Sequence, residues 1–202
     1  MPPKVISEYE RTRTRQAIIT HTKKLISLKK GIKNITVDDI IGSVGIGKGS
    51  FYSYFPSKEA CIYEVIKQAY KTDLEQFKII MGGELSLKER IEKFLWDVFL
   101  AEDAIDRYMS TQDFEMVLRK LPPEYSECDI QANKATVVGM MELFDFDRVR
   151  CESLAAFLDC ISYVVKQTDI SREAQIETLG ILVQTVAEYV EAHSKVIDNS
   201  AR

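Results

Sequence analysis

A chain of 202 residues with 46% hydrophobic content and a formal net charge of −4 is long enough for one or two cored domains and too apolar to be disordered. No apolar run approaches the ~20 residues a bilayer crossing needs, and the opening MPPKVISEYERTRTRQ lacks the apolar centre of a signal peptide. The expected setting is therefore the cytoplasm, with no membrane partner. Cys61, Cys128, Cys151 and Cys160 form no C-x-x-C pair, and His21 and His193 lie far apart, so no metal site, His-based catalysis or cofactor is expected. The charge is uneven: residues 1–60 carry 11 Lys or Arg against 5 Asp or Glu, and residues 61–202 carry 16 against 26. A basic head on an acidic body suits a ligand such as a phosphate backbone.

In chain order the patterns are helical. A first helix is expected from Glu8 to Lys30, ending before Gly31. Val37, Ile40, Ile41 and Val44 then recur at i, i+3, i+4 and i+7, and Thr36 with Asp39 forms a T-x-x-D start signal. A third helix covers Lys48 to Tyr54, and Pro56 interrupts it. Ser57 caps a long helix carrying Cys61, Ile62, Val65, Ile66, Ala69, Leu74, Phe77 and Ile80 to the Gly82-Gly83 break. Further helices are expected over 86–100 and 105–121, the latter stopped by Pro122-Pro123, followed by a segment to Phe144. Asp147 and Ser171 begin the last two helices, the final one with Ile176, Leu179, Val183, Val186 and Val190 at spacings of three and four.

Residues Gly42 to Lys48 fit the first seven positions of a phosphate-binding loop, G-x-x-x-x-G-K. The eighth position, where Ser or Thr holds the magnesium ion, is Gly49. Such a loop must follow a buried strand, and the pattern before this one is a helix. A nucleotide-hydrolysing enzyme is thus a remote alternative, and no catalytic residue is assigned. Read instead as helix, turn and helix, with Gly47 capping the third helix, the stretch places Phe51 and Phe55 about 40° apart on one side as anchors. Gly49, Ser50, Tyr52 and Ser53 point away, with Lys48 and Tyr54 at the margins and Lys58 just beyond, a set suited to a helix lying in a major groove between phosphate rows.

The run TVDDIIGSVGIGKGSFYSYFPSKEACIYEVI resembles the helix-turn-helix signature of the TetR family of bacterial repressors, over roughly residues 8 to 66. Lys48, Gly49, Ser50, Phe51, Tyr52, Tyr54, Phe55, Ser57, Lys58 and Glu59 fall on the family pattern. The resemblance implies an all-α protein of about nine helices: a three-helix DNA-binding domain over 1–56 and a larger effector-binding and dimerisation domain over 57–202. It further implies a homodimer, a double-stranded palindromic operator, and release by a small-molecule effector. By position, Thr36, Tyr52, Tyr54 and Lys58 resemble phosphate contacts, and Lys48, Gly49 and Ser50 groove contacts. Gly47 replaces a usual Ser or Thr and Gly42 a common alanine, which implies looser second and third helices.

Two expectations concern the body. Trp96, Phe99, Tyr108, Phe114, Met116, Met140, Met141 and Phe144 are candidates for an adaptable apolar pocket, although such residues at helical spacing more often form core. The broad apolar faces of the last two helices point to a dimer interface through Phe157, Ile161, Leu179, Val183 and Val186. A DNA-binding dimer with no small-molecule effector, controlled by a partner protein or by thiol oxidation, is the alternative within the same fold.

Overall fold

The computed structural model describes residues 7–105, 107–122, 125 and 144–194, and among these it is helical throughout. The helices are α1 (Glu8–Leu28), α2 (Val37–Val44), α3 (Lys48–Tyr52), α4 (Lys58–Met81), α5 (Leu87–Phe94), α6 (Thr111–Arg119), α7 (Arg148–Lys166) and α8 (Arg172–His193). A π-helical turn, Leu95–Phe99, prolongs α5. The segment expected to run to Phe144, with Cys128, Met140 and Met141, lies outside the described residues.

Side-chain caps set most of the helix starts. Ser7, Thr36, Ser86 and Ser110 each accept from the backbone N–H three residues on, and an acid at that third position reaches back in a capping box. Ser57, Asp147 and Ser171 cap α4, α7 and α8 in the simpler form. The Ser110 cap corrects one expectation, because α6 begins at Thr111 and the stretch before it is irregular. Ile105 and Met109 in that stretch are buried. Their apolar spacing reflects packing from a loop rather than a helix face.

Two hydrophobic clusters form. The first joins Ile18, Ile26, Ile32, Ile35, Ile40, Phe51 and Phe55 of the basic head to Cys61, Ile62, Tyr63, Val65 and Ile66 of α4, and it also takes in Ile105, Met109 and Val117. The expected boundary after residue 56 therefore falls inside a continuous core. The second contains Phe77, Ile91, Leu95, Leu100, Phe144, Leu154, Ile161, Leu179, Val183, Val186 and Val190. Helix α4 runs through both clusters, with α1 and α6 packed on its first half and α5 near its second, while α8 lies against α5 and α7. Two ion pairs fasten the head to residues 101–119: Lys23 Nζ to Asp103 Oδ2 at 2.7 Å and Lys33 Nζ to Asp113 Oδ1 at 3.3 Å.

The second cluster overturns most of the expected dimer surface. Ile161, Leu179, Val183 and Val186 are buried inside their own subunit, where α7 and α8 face each other and α5. Phe157 is half-buried, its ring 5.3 Å from that of Tyr189. A stripe at spacings of three and four records which face of a helix is buried, not which partner buries it.

Candidate nucleic-acid interface

Helix α2 is held at its start by a compact polar knot. The Thr36 hydroxyl accepts from the Asp39 N–H at 3.1 Å and donates to Asp39 Oδ2 at 2.7 Å, while the Thr36 N–H donates to the same oxygen. Lys29 Nζ stands 2.6 Å from that carboxylate. The Lys29 ammonium, followed by the Thr36 hydrogen bonds, holds the Asp39 carboxyl well below its ordinary range. The acid thus ties the end of α1 to the start of α2.

The turn between α2 and α3 depends on Gly45, whose φ of 74° and ψ of 34° lie in the left-handed region that L side chains adopt at a cost. Its N–H donates to the Ile41 carbonyl at 2.8 Å and closes α2. Gly47 then caps α3 with backbone alone. What fixes α3 is its apolar side. Phe51 and Phe55 are fully buried, with ring centroids 5.9 Å apart, and the Arg15 guanidinium lies 4.9 Å above the Phe55 ring.

With those anchors in place, Lys48, Gly49, Ser50, Tyr52 and Ser53 are exposed, in the register read from the sequence. Tyr52 stands half exposed, its ring edge-on to Phe51 at 5.4 Å. Space around Gly49 is open. Lys48 Nζ is 3.2 Å from Asp38 Oδ1, a surface pair that opposes little to a phosphate. The Ser53 hydroxyl donates to the Ser50 carbonyl at 2.7 Å, and Tyr54 is half-buried against the first cluster. Lys58 Nζ donates to the Ile35 carbonyl at 2.8 Å, and Thr36 is exposed while its hydroxyl serves the cap. The eight residues singled out for DNA thus divide into an outward set on α3 and a set already engaged within the fold.

Sequence reading did not single out α1 as part of this surface. Arg11 Nη2 donates to the Ser53 carbonyl at 3.4 Å, at the end of α3, and Arg15 pairs with Glu64 of α4 at 3.0 Å. Their i, i+4 spacing on the same stripe as Ile18, Ile19 and Thr22 was the available signal. An open concavity of about 390 Å³ beside them is lined by Tyr52, Phe55, Glu64, Lys67 and Tyr125 among others.

The pocket candidates among the described residues do not converge. Tyr108, Phe114 and Met116 pack against the first cluster, whereas Phe144 and Phe99 belong to the second and Trp96 is exposed. The glycine stretch that partly fits a phosphate loop begins within the last turn of α2 rather than after a strand. Among the described residues no group of three or more His, Cys, Asp or Glu could hold a metal ion. No helix among them is long and apolar enough to cross a membrane.

Comparison with known proteins bears on both parts of the chain. Residues 18–65 match the family model described as bacterial regulatory proteins, tetR family. Over 55 residues the chain is 44% identical to an uncharacterized HTH-type transcriptional regulator in the lacX 3' region of Lactococcus lactis subsp. lactis, and 40% identical to the HTH-type transcriptional regulator EthR of Mycolicibacterium smegmatis. Each match takes in 27% of this chain and only 28% and 25% of those relatives. The crystal structure of the reduced form of NemR from E. coli superposes with a TM-score of 0.59, over 92% of this chain and 99% of that one, at 15% identity. That likeness extends the fold to the body.

Proposed function

We propose that this chain, a TetR-family protein by its N-terminal domain, is a cytoplasmic transcriptional repressor that binds a palindromic operator as a homodimer and is released by a small-molecule effector. The observation that carries the DNA reading is the outward face of α3: Gly49, Ser50 and Tyr52 exposed on a helix whose opposite side is fixed by buried Phe51 and Phe55. Small residues let the backbone approach base edges, and hydroxyls serve phosphates or bases.

The dimer contact belongs on the outer faces of α7 and α8. Tyr163 is 68% exposed and Ile181 61%, and exposed Ala155, Ala156 and Cys160 lie beside Tyr163 on α7. Large apolar side chains left in water beside small ones are suited to a symmetric helix-on-helix contact. Two α3 helices about 34 to 36 Å apart would then enter successive major grooves. The signal from the body has a physical route: residues 101–119 share the core of the head, and Lys23–Asp103 and Lys33–Asp113 bridge the two.

The test is a gel-shift titration with palindromic duplexes from the DNA upstream of the chain's own reading frame. Binding should fall steeply as salt rises. Binding to single strands alone, or none at any salt, refutes the reading. A second reading, control by a partner protein or by thiol oxidation without a small-molecule effector, is favoured by the separated pocket candidates and by exposed Cys160. Under its oxidative form, a thiol oxidant releases DNA from the wild type and leaves Cys160→Ser bound.

A further inference from the structure

Helix α1 carries an apolar stripe that changes character as it leaves the core. Ile26, Thr22, Ile19 and Ile18 are buried. One turn nearer the N-terminus the stripe continues as Arg15, whose charge is spent on Glu64 and whose guanidinium carbon lies over the Phe55 ring. One turn further it ends at Arg11, which is exposed and reaches the Ser53 carbonyl at the close of α3. Stacking and ion pairing hold Arg15, so the guanidinium left at the rim is that of Arg11.

We propose that Arg11 is a DNA-backbone contact, gripping a phosphate at the trailing end of α3 opposite the one met by Lys48. The proposal rests on the reading of α3 as the groove-entering helix. Its five residues span roughly 7.5 Å at the α-helical rise, and a major groove is about 12 Å wide. Cations on long side chains at the two ends of such a helix therefore reach the two backbones that border the groove. Lys48 supplies the leading end. At the trailing end the last residues, Tyr52 and Ser53, carry no charge, and Arg11 supplies it from another helix.

The chemistry suits a phosphate. A guanidinium has five N–H donors in a planar fork, and the Ser53 carbonyl accepts from Nη2. Other donors of the fork can bind phosphate oxygens while that bond orients the side chain. Of the nearby acids, Glu10 is engaged in the Ser7 cap. Glu64 is shared by Arg15 and Lys67, and Glu8 lines the neighbouring concavity with Arg11, Thr12 and Arg15.

The experiment measures operator affinity against salt for full-length wild type, Arg11→Gln, Arg11→Lys and, as a control on the body, Arg148→Gln, with helical content and melting read for each. One phosphate contact per head contributes about 0.9 to the slope of log affinity against log salt. A dimer of Arg11→Gln should therefore lose about 1.8 from the slope, so that between about 50 and 200 mM salt its affinity falls roughly tenfold less than that of the wild type. Arg11→Lys keeps the charge and should keep the slope, and Arg148→Gln should match the wild type. If Arg11 only braces the Ser53 carbonyl, Arg11→Gln binds more weakly with an unchanged slope, and the proposal is overturned. A lowered slope in Arg11→Lys also overturns it, and decides the matter should the glutamine variant fail to fold. Absence of salt-dependent duplex binding by the wild type would instead remove the DNA reading itself.

Discussion

Truncating Phe55 separates anchoring from recognition more sharply than any other single change on α3 or in the turn that closes it. The ring is 1% exposed, 5.9 Å from Phe51 and capped by the Arg15 guanidinium at 4.9 Å, so Phe55→Ala opens a cavity where α1, α3 and α4 meet. Large-to-small changes of this kind cost about 3 to 5 kcal/mol, and the lost cation–π contact adds about 0.5 to 1 kcal/mol. Tyr52 is 50% exposed. Its truncation forfeits about half of the ~1.5 to 3 kcal/mol gained by full burial, or about 1 kcal/mol. For a chain of this length each kcal/mol moves Tm by about 2 to 4 °C, which gives a fall of roughly 7 to 24 °C for Phe55→Ala and about 2 to 4 °C for Tyr52→Ala. Thermal melts by circular dichroism, paired with duplex titrations at a temperature where both variants are folded, read the two effects separately. Tyr52→Ala should melt nearly as the wild type and bind DNA poorly. Equal losses of Tm in the two variants would refute the assigned register of α3.

The remaining predictions concern the body, the turn and the polar knot. Leu179→Arg should abolish cooperative melting of the body, because it places a charge in the second cluster, while Ile181→Arg should stay folded and, by sedimentation, shift dimers to monomers. Gly45→Ala meets no atom within 4 Å, so its penalty is the left-handed backbone, about 1 to 2 kcal/mol. Gly45→Asn should recover part of that loss in a denaturant titration. The carboxyl of Asp39 is depressed in the folded state, first by Lys29 and then by Thr36. Its stabilisation is therefore complete above the unfolded value near ~4 and is lost as pH falls below it. Melting followed from pH 6 downward (roughly one unit at a time) should show a smaller acid-induced loss in Asp39→Asn than in the wild type.

The caps at Thr36, Ser57, Asp147 and Ser171 were legible because they are local: a Ser, Thr or Asp oxygen that meets the N–H three residues on needs nothing from the rest of the chain, and the same signal at Ser110 with Asp113 went unread. The register of α3 was legible for a related reason, since Phe51 and Phe55 share one side of a single turn. Residues 105–110 misled because Ile105 and Met109 are spaced as on a helix, yet they are buried from an irregular segment by contacts with the distant head. The dimer surface misled because Leu179, Val183 and Val186 meet α5 and α7 of their own subunit, information that periodicity does not hold. The informative residue on α8 was the one out of step with that stripe, Ile181, which is 61% exposed. For the pocket, Tyr108 and Phe114 lie close to Trp96 and Phe99 in sequence, but the fold sends the pairs to opposite clusters or to the surface.

The presence of Ile105, Met109 and Val117 in the first cluster makes the basic head a borrower of side chains it does not encode. An excised fragment ending at residue 56 would lack these three as well as Cys61, Ile62, Tyr63, Val65 and Ile66 of α4, and its isoleucines would face water. In hydrogen-exchange terms, the amides of α1 and the buried start of α4 should open together with those of α6, as one cooperative unit whose members lie some ninety residues apart in the chain. Grafting this head onto a foreign body would carry over its DNA-facing surface but not the material that keeps it folded.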